Sequence, residues 1–475
     1  MDRHRWLVLS AVSVGTFMAT LDGSIVNIAL PSIGQAFGID LATVEWVVVA
    51  YLLVVGSLLL PIGRLGEILS YRRVYLAGFA IFTAASVLCG AAPGPGWLVA
   101  FRAVQGVGAA ALMAMGPAII ARTFGPGERG KALGLNAVSV AIGLSLGPAL
   151  GGILTEVGTW RAIFLVNLPV GIFAMLWAAR VLPAEERGQR QPFDVPGAVL
   201  TAGSLFALLL ALNQGESLGW TSPPVVGLIA LAIGLGVTFV IVERRTAAPM
   251  MDLDLFRVRA FSAGLVAVVV AFAGLFTATF LLPFLLQEGS GYTPLQAGLL
   301  ITPIPIASAI VAPFSGALSD RIGQRLPASV GIALLTLGLL SLTTLPESFT
   351  PVELTWRLVL IGAGQGLFLS PNSSSVLGAV PRPRLGTASG MIAQMRVVGQ
   401  ALGIVVSAAV VTLRLPAHLE SLAALPPGRA GQEAFAMAAR DAFVVAALIC
   451  SLGIVASLLR GGEPAGERRQ APARP

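Results

Sequence analysis

The sequence predicts an all-α polytopic membrane protein: two six-helix bundles with an inserted two-helix hairpin, fourteen transmembrane helices in all. Three observations predict it. The chain of 475 residues is 56% hydrophobic and only 11% charged, where soluble domains carry about 25% charged residues. Apolar runs long enough to cross a bilayer recur along the whole length, and basic residues crowd into alternate loops between them. Glycine and charge patterns in the first third return 253 to 256 residues later.

The apolar runs are expected at 7–29, 46–66, 73–92, 97–120, 131–154, 161–181, 196–213, 224–243, 261–286, 294–317, 327–345, 354–376, 386–411 and 441–460. Arg3 and Arg5 precede the first run as they would in a signal peptide. The run continues to Ile28 without a clear small-residue cleavage site, so a retained helix is expected. Arg72 and Arg73 follow the second run, and Arg122, Arg129 and Lys131 the fourth. Arg180, Arg187 and Arg190 follow the sixth, and Arg244, Arg245, Arg257 and Arg259 the eighth. Arg321 and Arg325 follow the tenth, Arg382 and Arg384 the twelfth. The intervening loops are nearly free of basic residues until Arg414, Arg429 and Arg440. This bias predicts a multi-pass protein of the cell (inner) membrane with both termini cytoplasmic, which requires an even number of spans.

Gly130, Gly134, Gly143 and Gly147 recur as Gly386, Gly390, Gly399 and Gly403; Gly63, Glu67 and Arg72 recur as Gly316, Asp320 and Arg325; Arg102 recurs as Arg357. A duplicated six-helix unit follows, with domains at 1–182 and 260–460 and a linker with two inserted helices at 183–259. The segment 412–440 is the longest outer loop. It reads either as a short amphipathic hairpin on the outer surface, broken at Pro426-Pro427-Gly428, or as a flexible loop. The tail 461–475, rich in Gly, Pro, Arg and Glu, reads as disordered.

Several function classes drop out. The net charge of +7 is dispersed over short loops, so no nucleic-acid partner is expected. Neither His4 nor His418 lies in a span, and no paired acids or metal-ligand cluster stand out, so neither catalysis nor a metal is expected. Cys89 and Cys450 lie in apolar segments and read as packing residues. No GxxxxGK[ST] loop occurs, so no nucleotide cofactor is expected and a gradient must supply the energy. The expected partners are the lipid bilayer, a small-molecule substrate and protons, with the chain a monomer.

One stretch stands out, Gly143-x3-Gly147-Pro148-x2-Gly151-Gly152. Glycines four apart share a helix face and admit a second backbone closely; ordinary membrane-helix packing explains such a stripe as readily as a transport role. The full string resembles the antiporter signature in the fifth helix of major facilitator superfamily exporters. Other strings extend the resemblance over essentially the whole chain: Leu21-Asp22-Gly23 through Asn27 to Pro31, Arg102-x2-Gln105-Gly106-x-Gly108, Trp160-Arg161-x2-Phe164-x2-Asn167-x-Pro169-x-Gly171 and Arg396-x2-Gly399-x-Ala401-Leu402-Gly403. Together they are similar to the fourteen-span drug:proton antiporter-2 branch. The resemblance implies a major-facilitator-type fold and proton-coupled multidrug efflux by alternating access. It implies a conformational latch at Gly63, Glu67, Arg72, Asp320 and Arg325, beside the hinge glycines and Pro148. The first latch copy departs from the family pattern, with Ser70 where glycine is usual and Glu67 where aspartate is.

Asp22, Arg102, Arg357 and Arg396 are the ionisable residues expected inside spans, and a charge there marks a pathway by default. Asp22 and Arg102 fall at a similar depth and serve either as a proton-coupling pair or as a static buried ion pair. Arg396 either orients substrate or pairs with helix ends and glutamines such as Gln365. Phe17, Met113 and Phe276 suit an adaptable apolar pocket. With Asn27, Gln105, Gln365 and Arg396 they make up the expected substrate path. The expected function is proton-coupled export of neutral or monocationic amphipathic compounds. Proton-coupled uptake and lipid or metabolite translocation are the alternatives.

Overall fold

Apolar, proline-punctuated segments fold here into long helices. The computed structural model describes residues 2–124, 129–183, 194–219, 221–246, 253–346, 349–380 and 385–458. The tail expected to be disordered, the loop arginines Arg187, Arg190, Arg382 and Arg384, and the side chains of Glu67 and Asp320 lie outside the described set.

The first half comprises α1 (Asp2–Phe37), the short α2 (Leu41–Val44), α3 (Trp46–Leu69), α4 (Tyr71–Gly90), α5 (Pro95–Thr123), α6 (Arg129–Val157), the short α7 (Ala162–Leu165) and α8 (Asn167–Val181). Then come α9 (Val195–Leu218) and α10 (Pro223–Glu243). The second half holds α11 (Arg259–Phe284), α12 (Pro294–Ile301), α13 (Pro303–Ile322), α14 (Arg325–Thr343), α15 (Pro351–Gly378), α16 (Leu385–Ser421) and α17 (Pro427–Leu458). Starts are specified locally. Thr293 with Gln296, and Thr350 with Glu353, form capping boxes, each followed by proline in the first turn. Pro31, Pro61, Pro117, Pro148, Pro283, Pro313 and Pro371 sit inside helices, which membrane helices tolerate where neighbours supply hydrogen bonds.

Twelve helical segments are long and apolar enough to cross a membrane. Two shorter apolar stretches, Ile142–Val157 in α6 and Val195–Leu208 in α9, fall on the other two runs expected from sequence. The region 412–440 is neither a surface hairpin nor a flexible loop. α16 and α17 simply continue through it and meet at a tight turn before Pro427. Asp441 of α17 holds Arg414 Nε at 2.7 Å and His418 Nε2 at 2.8 Å, which ties the two helices together at this end.

The spacing seen in sequence reappears in packing. A Cβ at Gly78 would lie 3.1 Å from Gly108 O, and one at Gly331 would lie 2.8 Å from Gly364 O. The same α4–α5 crossing is therefore built again by α14–α15. Likewise Ser24 Oγ donates to Gly143 O across α1–α6 (3.2 Å), and Thr277 Oγ1 donates to Gly403 O across α11–α16 (3.1 Å). The halves meet where α6 packs on α12, α3 on α16 and α1 on α11. α9 lies against both α3 and α16, and α10 packs on α9 with Val226, Leu231, Ile233 and Val237 exposed.

Candidate functional site

α1 and α5 run against each other in the first half, and Asp22 and Arg102 meet there. Arg102 Nη1 donates to Asp22 Oδ2 at 2.6 Å, with both side chains fully buried. Asp22 Oδ1 accepts from Gln105 Nε2 and from Asn167 Nδ2, each at 2.9 Å. Arg102 Nη1 also donates to Gln105 Oε1 at 2.6 Å, and its Nε donates to Val47 O at 2.8 Å. Gln105 Nε2 reaches Ser86 Oγ at 2.7 Å. The guanidinium lies 4.1 Å from the Tyr51 ring centroid, and that hydroxyl donates to Ala19 O at 3.4 Å. Three helices, α1, α5 and α8, thus meet at one carboxylate, three donors satisfy it, and the aromatic rings of Tyr51 and Phe164 flank its cation.

The pairing of Asp22 with Arg102 follows from their scarcity and matched depth. Gln105, expected on the substrate path, is instead bound into this cluster with no exposed surface. Asn167, Ser86 and Tyr51 carried no sequence signal for this role, because neutral polar side chains in apolar helices are ordinary.

In the hinge helix, Gly143, Gly147 and Gly151 face α1 of their own half. Cβ atoms there would meet Phe17 O at 3.0 Å, Ile25 N at 3.2 Å and Ile25 O at 2.8 Å. Gly147 therefore packs within its own half and not against the other. Gly152 meets the other half instead, since a Cβ there would lie 2.5 Å from Pro294 O and 2.6 Å from Leu295 Cα of α12. Glu156 supports the junction by accepting the Leu295 N–H at 3.1 Å. The halves are also joined by Gln394 Nε2 to Gly56 O at 3.1 Å and by Gln287 Nε2 to Ile28 O at 2.8 Å. At the latch, Arg72 Nη2 donates to Ala179 O of α8 at 2.6 Å.

The second half holds two further cations. Arg357 does not snorkel: it is buried, with its guanidinium donating to Ser341 O and Glu353 O. Arg396 lies 5.4 Å from the Phe272 ring centroid and is not bonded to Gln365. Asn27, Phe276 and Gln365 are buried, while Phe17 and Met113 are partly exposed.

The family model described as Major Facilitator Superfamily matches residues 12–404. This chain belongs to the major facilitator superfamily. It is 34% identical over 454 residues to the riboflavin transporter RibZ of Clostridioides difficile (strain 630), covering 95% of this chain and 97% of that protein. It is 36% identical over 422 residues to the multidrug resistance protein Stp of Mycobacterium tuberculosis (strain CDC 1551 / Oshkosh), covering 88% and 78%. Its fold is similar to the crystal structure of a bacterial homologue of the human lysosomal transporter Spinster, inward-facing and unoccupied, with a TM-score of 0.71 at 17% identity over 97% of both chains. This superfamily protein is thus an integral multi-pass membrane protein whose relatives are transporters, several of them drug exporters.

Proposed function

We propose that this chain is a proton-coupled exporter of small amphipathic compounds, neutral or monocationic, working by alternating access in the fourteen-span drug:proton antiporter-2 branch. In this reading α6 and α9 also span the bilayer, and the two halves, 1–182 and 260–460, rock about the α6–α12, α3–α16 and α1–α11 contacts. The chain sits in the cell membrane as a monomer with both termini cytoplasmic.

The observation that carries the reading is the Asp22–Arg102 pair, wholly buried and fully hydrogen-bonded on its carboxylate. Removing one partner of such a pair costs about 3–5 kcal/mol. A conformation that parts α1 from α5 separates this carboxylate from its cation, so the state of the pair and the arrangement of the first-half helices are linked, and in this reading Asp22 is the group that carries the proton. Stp, a multidrug resistance protein, supports the export direction.

Efflux of a fluorescent monocation and a matched dication should be followed in cells lacking their own pumps, with and without a protonophore. Monocation efflux should collapse with the gradient and disappear in Asp22→Asn at normal membrane abundance. The dication should move far more slowly, because Asp22 is the one carboxylate among the described residues that is buried mid-span with its cation. Gradient-dependent efflux that survives Asp22→Asn would place the proton elsewhere. A second reading, translocation of a metabolite, is favoured by the near full-length match to RibZ; riboflavin uptake or release by the same cells tests it.

A further inference from the structure

Arg396 differs from the other two cations in the spans. Arg102 has a carboxylate and Arg357 has two carbonyls. Arg396 has neither an opposite charge nor a hydrogen-bond acceptor among the described residues, its Nε is buried without a partner, and the side chain stays partly exposed. Its contact is the Phe272 ring. A guanidinium left this way inside an apolar bundle is costly unless something else supplies the acceptor.

Its surroundings locate it. On α16, Gln394 and Val397 touch Gly56 of α3, in the first half, while Gly399 and Gly403 pack on Val269 and Ala273 of α11. Ala393, Arg396 and Gln400 lie three and four residues apart, on one helix face between those two contact faces, and all three are partly exposed. On α11, Val270 and Gly274 meet α17 through Gly453 and Cys450. Phe272 and Phe276 lie on the other flank, a turn apart. Arg396 therefore stands on the side of the α11–α16 seam away from α17, toward the first half, where α3 packs on α16 and α1 on α11.

We infer that Arg396 and Gln400, backed by Phe272 and Phe276, form a recognition site for a flat aromatic compound bearing a carboxylate or similar anionic oxygen. The guanidinium, 5.4 Å from the Phe272 ring centroid, supplies donors that an anionic oxygen pair can take as a fork, and the phenyl rings supply the apolar surface for an aromatic ring. Gln400 adds a neutral donor and acceptor beside it. A cationic head meets like charge and no acid there, so this site gives the exported monocations no hold and leaves them to the rest of the path. The inference rests on the alternating-access reading, in which substrate passes between the two halves. It does not depend on proton coupling or on direction.

The test is equilibrium binding to the purified full-length protein in lipid nanodiscs, with no gradient. The probes are anthraquinone-2-carboxylate and its trimethylammoniomethyl analogue, which share one ring system and differ in charge. Wild type should bind the carboxylate about tenfold more tightly or better, since a charged hydrogen bond of about 1.5–3 kcal/mol is at stake. Arg396→Gln should lose that preference and leave binding of the cationic analogue unchanged or improved. Arg396→Lys, which keeps the charge and loses the fork, should keep part of the preference and carries the test if the glutamine variant does not fold. Equal binding of both probes by wild type, or an unchanged preference in either variant, overturns the site. Because the assay involves no transport, that failure leaves the Asp22 coupling reading standing, and loss of coupling in cells leaves this site standing.

Discussion

At the scale of single residues, what the sequence makes legible is what the membrane makes rare. Asp22 and Arg102 are conspicuous because charges seldom enter spans, and the structure joins them directly. Asn167, Ser86 and Tyr51, which complete the cluster, are chemically ordinary in helices of this kind, and their places in it, Asn167 on Asp22, Ser86 on Gln105 and Tyr51 on Arg102, emerge only in the structure. Ser70 is a second case of sequence and geometry agreeing. It stands where the latch pattern expects glycine, and its φ of 142° is a conformation that favours glycine. The equivalent position in the second half, 253 residues on, is Gly323 with φ 86°. The Ser70 hydroxyl returns a little by accepting from Arg73 N at 3.4 Å as the cap of α4. Relief of the backbone is worth about 1 kcal/mol, and replacing a serine cap by glycine costs only a few tenths. Ser70→Gly should therefore raise the thermal unfolding temperature in detergent by a small, measurable amount. A lower temperature would show that the cap outweighs the strain.

At the scale of elements, the glycine spacing indicated close packing on α6 but not the partner, because a stripe four residues apart defines a face without saying which helix meets it. Gly143, Gly147 and Gly151 turn out to seat α1, and Gly152, one position round the helix, seats α12. The two contacts should separate by experiment. Gly147→Val drives a branched side chain into Ser24 and Ile25 inside one bundle, and overpacking of this kind costs about 1–3 kcal/mol or more. It should lower the unfolding temperature. Gly152→Val meets backbone across the junction between halves. It should leave the unfolding temperature near that of wild type and abolish transport, because the close approach of α6 and α12 is lost. The opposite pattern would mean that the junction at Gly152 is static and that the α1–α6 seam moves. The helical continuation of α16 and α17 beyond the apolar core was missed for a different reason. His418, Glu420, Arg429 and Glu433 lower the hydropathy to that of a loop, while the backbone stays helical on both sides of the break at Pro427.

At the scale of the whole molecule, duplication was legible because glycines that admit a neighbouring backbone cannot drift, so their spacing survives where side-chain identity does not. The placement of α9 and α10 was not legible, since an apolar helix that faces lipid carries no mark of the helix it touches; α9 lies on α3 and α16 at the seam between the halves. Orientation depends on charge instead. The arginines that crowd alternate loops set a sidedness through their resistance to translocation, and the three basic residues of the α16–α17 region are the exception. Arg414 is held by Asp441, Arg429 lies 3.4 Å from Glu433, and Arg440 donates to Leu345 O. Each is thus occupied locally, which makes this end compatible with the outer face despite its basic residues. The expectation can be tested with single cysteines. Ala417 is exposed near the end of α16, and Ala471 belongs to the C-terminal tail. The native Cys89 and Cys450 are fully buried and should stay silent. In intact cells an impermeant thiol reagent should label Ala417→Cys and leave Ala471→Cys unlabelled until the membrane is permeabilised. Equal labelling of the two would break the proposed topology, and labelling of the tail alone would reverse it.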